Sequence, residues 1–244
     1  MRRTLRWMVG AAAVGFAVVC HTWLTLPDVR PLKKTPPTST AFMRLRADQA
    51  EDEGRKLRMQ HRWVSYDRIS ANLKRAVIVA EDAAFWQHEG LDFDEIRASI
   101  EMNWMRGEFA RGASTITQQL AKNLYLSPSR NPYRNVSELF IARRLEAELS
   151  KRRIFELYLN LIEWGDGIWG AEAAARAHFG TSAAALSPQQ AAMLAGAIIN
   201  PRVYSPSRPN ARLLRRQGII LRRMGAVTPP DTPAVPPGEP EIIR

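Results

Sequence analysis

Cysteine is almost missing from this chain: Cys20 is the only one in 244 residues. That excludes a disulfide framework and a cysteine-based zinc cluster. The four histidines are scattered, which argues against a histidine-rich metal centre. There is one long apolar run and no second, so a polytopic transporter is excluded. Acids are the minority charge, 24 Asp and Glu against 35 Lys and Arg, and the net charge is +11. An acidic disordered protein is thereby ruled out, and an anionic partner is indicated: nucleic acid, a membrane surface or a phosphorylated substrate. The sequence has no Walker loop, GxGxxG, CxxC or HExxH. No Ser or Thr is followed three residues later by Lys, so the acyl-enzyme nucleophile motif of penicillin-binding transpeptidases is absent.

The apolar run itself is Trp7 to Leu26, without a single charged residue. Twenty residues at ~1.5 Å each span roughly 30 Å, the thickness of a hydrocarbon core. Arg2, Arg3 and Arg6 precede it, and Trp7 and Trp23 sit near its ends, where indole rings favour the interface. No small-x-small cleavage site follows, so an uncleaved anchor at 1–26 is expected rather than a signal peptide. Arg30, Lys33 and Lys34 follow closely, and charge alone votes only weakly for an inside amino terminus. An anchored basic domain meets lipid phosphates more readily than nucleic acid.

Proline marks the remaining boundaries. Residues 27–40 hold four Pro and read as an extended linker. Residues 226–244 hold six and read as a disordered tail. Between them, 41–225 reads as one folded, mostly α domain. Apolar spacing predicts helices from Asn72 to Ala84, Asp94 to Arg106, Thr115 onward, Pro132 to Leu149 and Ser150 onward. Further helices are predicted in the Ala-rich stretch ending near Gly180, from Ser187 to Asn200, and from Pro209 to Met224. Thr115-Ile-Thr-Gln118 and Ser187-Pro-Gln-Gln190 both match a capping box. Gly107 and Gly112 bracket a loop with the character of a mobile flap. Arg62 to Tyr66 is the best strand candidate.

Three polar clusters carry chemical potential. Glu81 and Asp82 follow the apolar stretch Ala76–Ala80. Acids at a helix C-terminus face the negative end of its dipole, and burial there would raise a pKa for acid–base work. The alternative, a continuing helix with solvated acids, stays open. On the helix after Thr115, that residue, Gln119 and Lys122 fall within about 60° of one another at 100° per residue. A helix N-terminus with hydroxyls and a Lys on one face suits a diphosphate, and an ordinary capped surface helix suits the same pattern. Arg134 and Glu138 are spaced i,i+4; in isolation an exposed ion pair explains them.

In order along the chain, these clusters stop being generic. EDAAFWQHEG, RGASTITQQLAKNLYL, RNVSE and SKRRIFELYLNLIEWGDGIWGAEAAARAHFG together closely resemble the family 51 glycosyltransferases, the peptidoglycan glycosyltransferases that polymerise lipid II. The resemblance runs from about Trp63 to Tyr204. Short length, one anchor and no transpeptidase motif are similar to its monofunctional branch. It implies a lysozyme-like, two-lobed fold with a cleft, and Glu81 and Glu138 as the catalytic glutamates. It implies substrate-binding roles for Asp82, His88, Ser114, Thr115, Gln119, Lys122, Asn123 and Arg134. The Glu156–Asn160 and Ala191–Tyr204 motifs read as mostly structural. At Asn135 the family has Lys, which removes one cation beside the diphosphate; Arg130 is the nearby candidate to compensate.

The implied reaction joins a GlcNAc 4-hydroxyl to C1 of a MurNAc that carries a polyprenyl diphosphate, with inversion. No cofactor is obligatory, although a divalent cation, Mg or Mn, at the diphosphate fits the chemistry. The implied partners are lipid II, the growing lipid-linked glycan, the cytoplasmic membrane, and other cell-wall synthesis or division proteins; nucleic acid is not among them. The implied location is the cytoplasmic membrane, single-pass, with the catalytic domain outside and Phe42, Met43, Arg44 and Arg46 against the headgroups. The rival reading is a lysozyme-like hydrolase or lytic transglycosylase. The Asn135 departure makes its own prediction. Asn135→Lys should preserve or raise turnover in a polymerisation assay, and a large loss would mean a pocket rebuilt around Asn135.

Overall fold

Capping residues set where most of the helices start. The structure is a computed structural model, and it describes residues 2–106, 114–126 and 132–225. The expected flap at 107–112, Arg130 and the tail at 226–244 lie outside the described residues. Helix α1 (Arg2–Leu24) takes in the apolar run up to Leu24, and Arg6–Leu24 is long and apolar enough to cross a membrane. It is followed by α2 (Ala41–Asp52), whose N-cap Thr40 accepts from Met43 N, and by α3 (Ala71–Glu81), capped by Ser70. Helix α4 spans Phe93–Arg106 and α5 spans Ile116–Tyr125. Thr115 and Gln118 close the predicted capping box on α5, fixing its first turn.

Helix α6 covers Pro132–Glu148. Ser150 caps α7 (Lys151–Leu161), and α8 covers Ala171–Phe179. A second capping box with Pro188 at the first turn starts α9 (Pro188–Ala197). Asn210 caps α10 (Ala211–Met224). The mostly helical class matches expectation.

Two helix groups share one core. Helices α3, α9 and α10 pack together, while α5 packs on α6, α7 and α2. Leu73, Val77, Ile116, Leu120, Phe155 and Leu194 belong to the same buried cluster, which continues from one group into the other. The last turn of α1 touches α6, where the Trp23 and Phe140 rings meet edge-on with centroids 6.0 Å apart.

The small sheet differs from expectation. Strands β1 (Gln60–His61), β2 (Glu163–Gly165) and β3 (Ile168–Trp169) form it in the order β1-β3-β2, with β1 parallel and β2 antiparallel to β3. The stretch expected as a strand, Arg62 to Tyr66, lies outside it, and Tyr66 opens a 3₁₀ turn. Side chains of α7 satisfy that backbone instead. Asn160 accepts from Val64 N and donates to Val64 O, both at 2.9 Å, and Glu156 accepts from Tyr66 N at 3.0 Å. A side-chain amide thus does the work of a neighbouring strand.

Helix α3 also stops earlier than its apolar pattern suggests. It ends at Glu81, because Asp82 leaves the helical region (φ −164°, ψ 84°). The alternative of a continuing, solvated helix is excluded.

Close approach is tight at Gly170, between β3 and α8. Its φ is +83°, and a Cβ there would lie 2.6 Å from the Asn160 carbonyl oxygen. Gly170→Ala should therefore cost about 3 kcal/mol or more, from positive-φ strain plus the clash. In thermal unfolding this is a fall of roughly 6–12 °C for a domain of this size. An unchanged midpoint would show that the backbone relaxes freely here.

Candidate functional site

Glu81 is the final residue of α3, so its carboxyl faces the negative end of the helix dipole. Its side chain is 11% exposed. Two neighbours hold it. Gln119 Nε2 on α5 donates to Oε2 at 3.0 Å, and Arg216 Nη2 on α10 lies 3.5 Å from Oε1. Burial raises the carboxyl above its ordinary pKa. The Gln119 hydrogen bond and the charges of Arg216 and Lys122 pull it back, while Asp82 pushes it up.

Gln119 is itself oriented. Its Oε1 accepts from the Tyr158 hydroxyl on α7 at 2.8 Å. Tyr158 is fully buried, and burial, followed by the charges of Glu81 and Asp82, drives its pKa well above normal. An ionised Glu81 carboxylate can only accept, and the Tyr158 hydroxyl, which keeps its proton, can donate to the Gln119 oxygen. That fixes the amide with its nitrogen toward Glu81.

Asp82, one residue on, points the other way. Its Oδ2 accepts from Ile116 N at 2.9 Å, at the open N-terminus of α5. Both of its oxygens lie 3.1 Å from His88 Nε2. His88 Nδ1 accepts from Gly90 N at 3.1 Å, which assigns the ring proton to Nε2. Gly90 O in turn accepts from Thr115 Oγ1 at 2.7 Å. Asp82, His88 and Thr115 therefore join the end of α3 to the start of α5.

Of these three, Asp82 and Thr115 also border open space, and His88 does not. A cavity of about 630 Å³ and a second of about 360 Å³ share Glu81, Ser114, Gln119 and Ile199 in their walls. Arg216 and Arg223 line only the larger one. Lys122 and Asn123 line only the smaller one. Glu81 thus sits where the two spaces meet.

Glu138, on α6, is buried at 8% exposure. Burial raises its pKa, opposed first by Lys122 and then by Arg134. Arg134 Nη1 lies 3.9 Å from its Oε2, and both side chains are largely covered, so the pair is not the exposed one expected in isolation. Arg134 and Glu138 line neither cavity. What ties Glu138 to Glu81 is Lys122, whose charge acts on both. Asn135 is exposed, and its Oδ1 accepts from Arg134 Nη2 at 2.6 Å.

Three residues gain a place that sequence reasoning did not give them. Arg216 read only as part of a basic amphipathic helix, and Tyr158 as structural. Arg46 was expected at a membrane surface with Met43, but it pairs with Glu163 at 3.0 Å beside the smaller cavity. Met43 is 2% exposed and belongs to the core, because α2 packs onto α5. Arg44 is exposed, as that expectation required.

Comparison with known proteins adds a family. A family model described as Transglycosylase matches residues 50–225. The chain is 52% identical over 224 residues to a biosynthetic peptidoglycan transglycosylase of Methylobacillus flagellatus, covering 92% of this chain and 97% of that one. It is 50% identical over 217 residues to the protein of the same name from Dechloromonas aromatica, with 89% and 94% covered. It is 44% identical over 228 residues to that of Laribacter hongkongensis, with 93% and 100% covered. The matched stretch takes in Glu81, Asp82, Gln119, Lys122, Glu138, Tyr158 and Arg216, with Arg46 lying just before it, and the chain belongs to the transglycosylase family.

Proposed function

We propose that the protein is a peptidoglycan glycosyltransferase that polymerises lipid II and carries no transpeptidase activity. The observation that carries this reading is the buried Glu81 carboxylate, held at the junction of two cavities. A polymerase must seat an acceptor and a donor on either side of one base. The acceptor 4-hydroxyl attacks C1 of the donor sugar. The bond from C1 to the diphosphate oxygen breaks, and the hydroxyl proton passes to Glu81. Attack opposite the leaving group inverts the anomeric centre, and polyprenyl diphosphate departs.

The leaving diphosphate needs charge more than a proton. Lys122 lines the smaller cavity and can offer it, with Arg134 behind. Glu138 holds those two cations in place. No cofactor is required in this reading. Asp82, His88 and Asp92 bring one ligand atom each within 4.8 Å of one another. The His88 lone pair is already committed to Gly90 N and its other nitrogen faces Asp82, so the cluster offers a Mg or Mn ion no imidazole ligand and only carboxylates that already serve backbone N–H groups. A carboxylate flanked by two cations, as at Glu138, is also a poor seat for one. Helix α1 serves as the anchor, with the catalytic domain on the outer face of the cytoplasmic membrane, where the lipid-linked substrate is presented.

The decisive experiment gives purified protein lipid II and asks for polymer. Glycan strands are expected, with and without chelator; cleavage of finished glycan without polymer would overturn the reading. Glu81→Gln should lower turnover at least about 100-fold, the scale of general base catalysis. It should not lower the melting temperature at pH 8. A carboxyl with a raised folded pKa contributes stability below its unfolded pKa and loses it as pH rises, so a neutral amide is the better tenant at high pH.

Arg216→Gln tests the other clamp. Arg216 pulls the Glu81 pKa down, so its removal raises it and protonates the base at higher pH. The acidic limb of the pH–rate profile should move upward, with a deeper loss at pH 6 than at pH 8. An unshifted limb would detach Arg216 from the base.

A further inference from the structure

The smaller cavity holds an acid that this chemistry does not use. Glu163 opens β2 and is 7% exposed. Its Oε2 accepts from Arg46 Nε at 3.0 Å. Arg46 is fixed in turn by Gln49, to which its Nη1 donates at 2.8 Å. The other oxygen, Oε1, is buried and has no hydrogen-bond partner among the described residues. Asn123 on α5, also 7% exposed, leaves its Oδ1 buried and likewise unpartnered among the described residues. Both residues line the cavity of about 360 Å³, beside Glu81 and Lys122.

A buried acceptor without a donor costs about 1–3 kcal/mol. Two in the wall of one cavity mark a place where donors are meant to arrive from outside. The chemistry of the visitor follows from the atoms. Two acceptors call for N–H or O–H groups, while Arg46 and Lys122 beside them suit carbonyl or phosphate oxygens. A diphosphate brings no donors and is repelled by Glu163. An N-acetylated pyranose brings both kinds, an amide N–H and hydroxyls next to an acetyl carbonyl.

We propose that Glu163 and Asn123 form the sugar-reading wall of the donor site, with the Glu163 carboxylate accepting from the acetamido N–H of the donor sugar. The inference rests on the reading that the cleft polymerises lipid II. Arg46 is a positioning residue here: by holding one carboxylate oxygen it leaves the other as the acceptor. Glu163 thereby reads the sugar, while Lys122 meets the diphosphate attached to it.

The test uses the full-length protein in detergent with two substrates. One is lipid II; the other is lipid II with both acetamido groups replaced by acetate esters, which keeps the carbonyls and removes the N–H donors. Wild type should use the ester about 5–150-fold less efficiently, the fold-change equivalent of one unsatisfied buried acceptor. Glu163→Gln is the informative variant. Arg46 will claim the amide oxygen, so the amide nitrogen faces the ligand and an acceptor becomes a donor. The variant should show a raised KM for lipid II with kcat less affected, and its preference for lipid II over the ester should vanish or reverse. A merely structural role for Glu163 would move the melting temperature without erasing that preference. If Glu163→Gln does not fold, Asn123→Ala is the second arm and should raise KM for lipid II. Wild type that polymerises both substrates equally well, or a Glu163→Gln enzyme that discriminates like wild type, overturns the sugar-reading wall alone. Wild type that makes no polymer from lipid II overturns the polymerase reading with it.

Discussion

A carboxylate at the negative end of an apolar helix, shielded from water, is a costly thing to keep ionised. Much of the surrounding architecture makes sense as the means of holding Glu81 in that position. Three helices from two packing groups converge on it: α3 carries it, α5 supplies the Gln119 amide and α10 supplies the Arg216 guanidinium. None of these contacts is local in sequence. The site exists only when α10 has returned to pack on α3 and α9, so the base is assembled by completion of the fold.

Asp82 explains how α3 can stop where it must. A helix that continued would carry Glu81 on a regular face, with no reason for it to sit between cavities. The Asp82 side chain binds the free N–H at the start of α5 and the His88 ring, and His88 is tied back to Gly90, which accepts from Thr115. An anion at a helix N-terminus is favourable for the same reason that one at a C-terminus is not. The adjacent acids therefore split roles by geometry: one seals two helix ends together, and the other is left facing the cleft. The same pairing of ends fixes the first turn of α5, and with it the direction in which Gln119 and Lys122 project.

The parts of this arrangement that were legible in the sequence are those with local causes. Thr115, Ser150 and Ser187 announce helix starts because an N-cap acts within three residues. The short strand β1 was misplaced because its partner, β3, lies more than 100 residues away, and because Asn160 substitutes for a strand beside Val64. Arg216 was invisible for a different reason. It is one of five arginines on α10, and only tertiary packing distinguishes the one that reaches Glu81. Tyr158 and Arg46 hid behind sound generalities, a tyrosine in an apolar helix face and an arginine near an anchor. Resemblance named Asp82, His88 and Thr115 beside Glu81, yet it could not separate side chains that face the cleft from those that lock its floor.

The orientation of one amide has a further consequence. Gln119 shows its nitrogen to Glu81 and its oxygen to Tyr158. A carboxamide does not pass a proton from one end to the other, because its nitrogen neither gains nor releases one at ordinary pH. The Tyr158–Gln119–Glu81 chain is thus wired for rigidity and insulated against conduction. The protein interior offers Glu81 no relay along this path, and a proton that it takes up on this side has only the cleft as its way out.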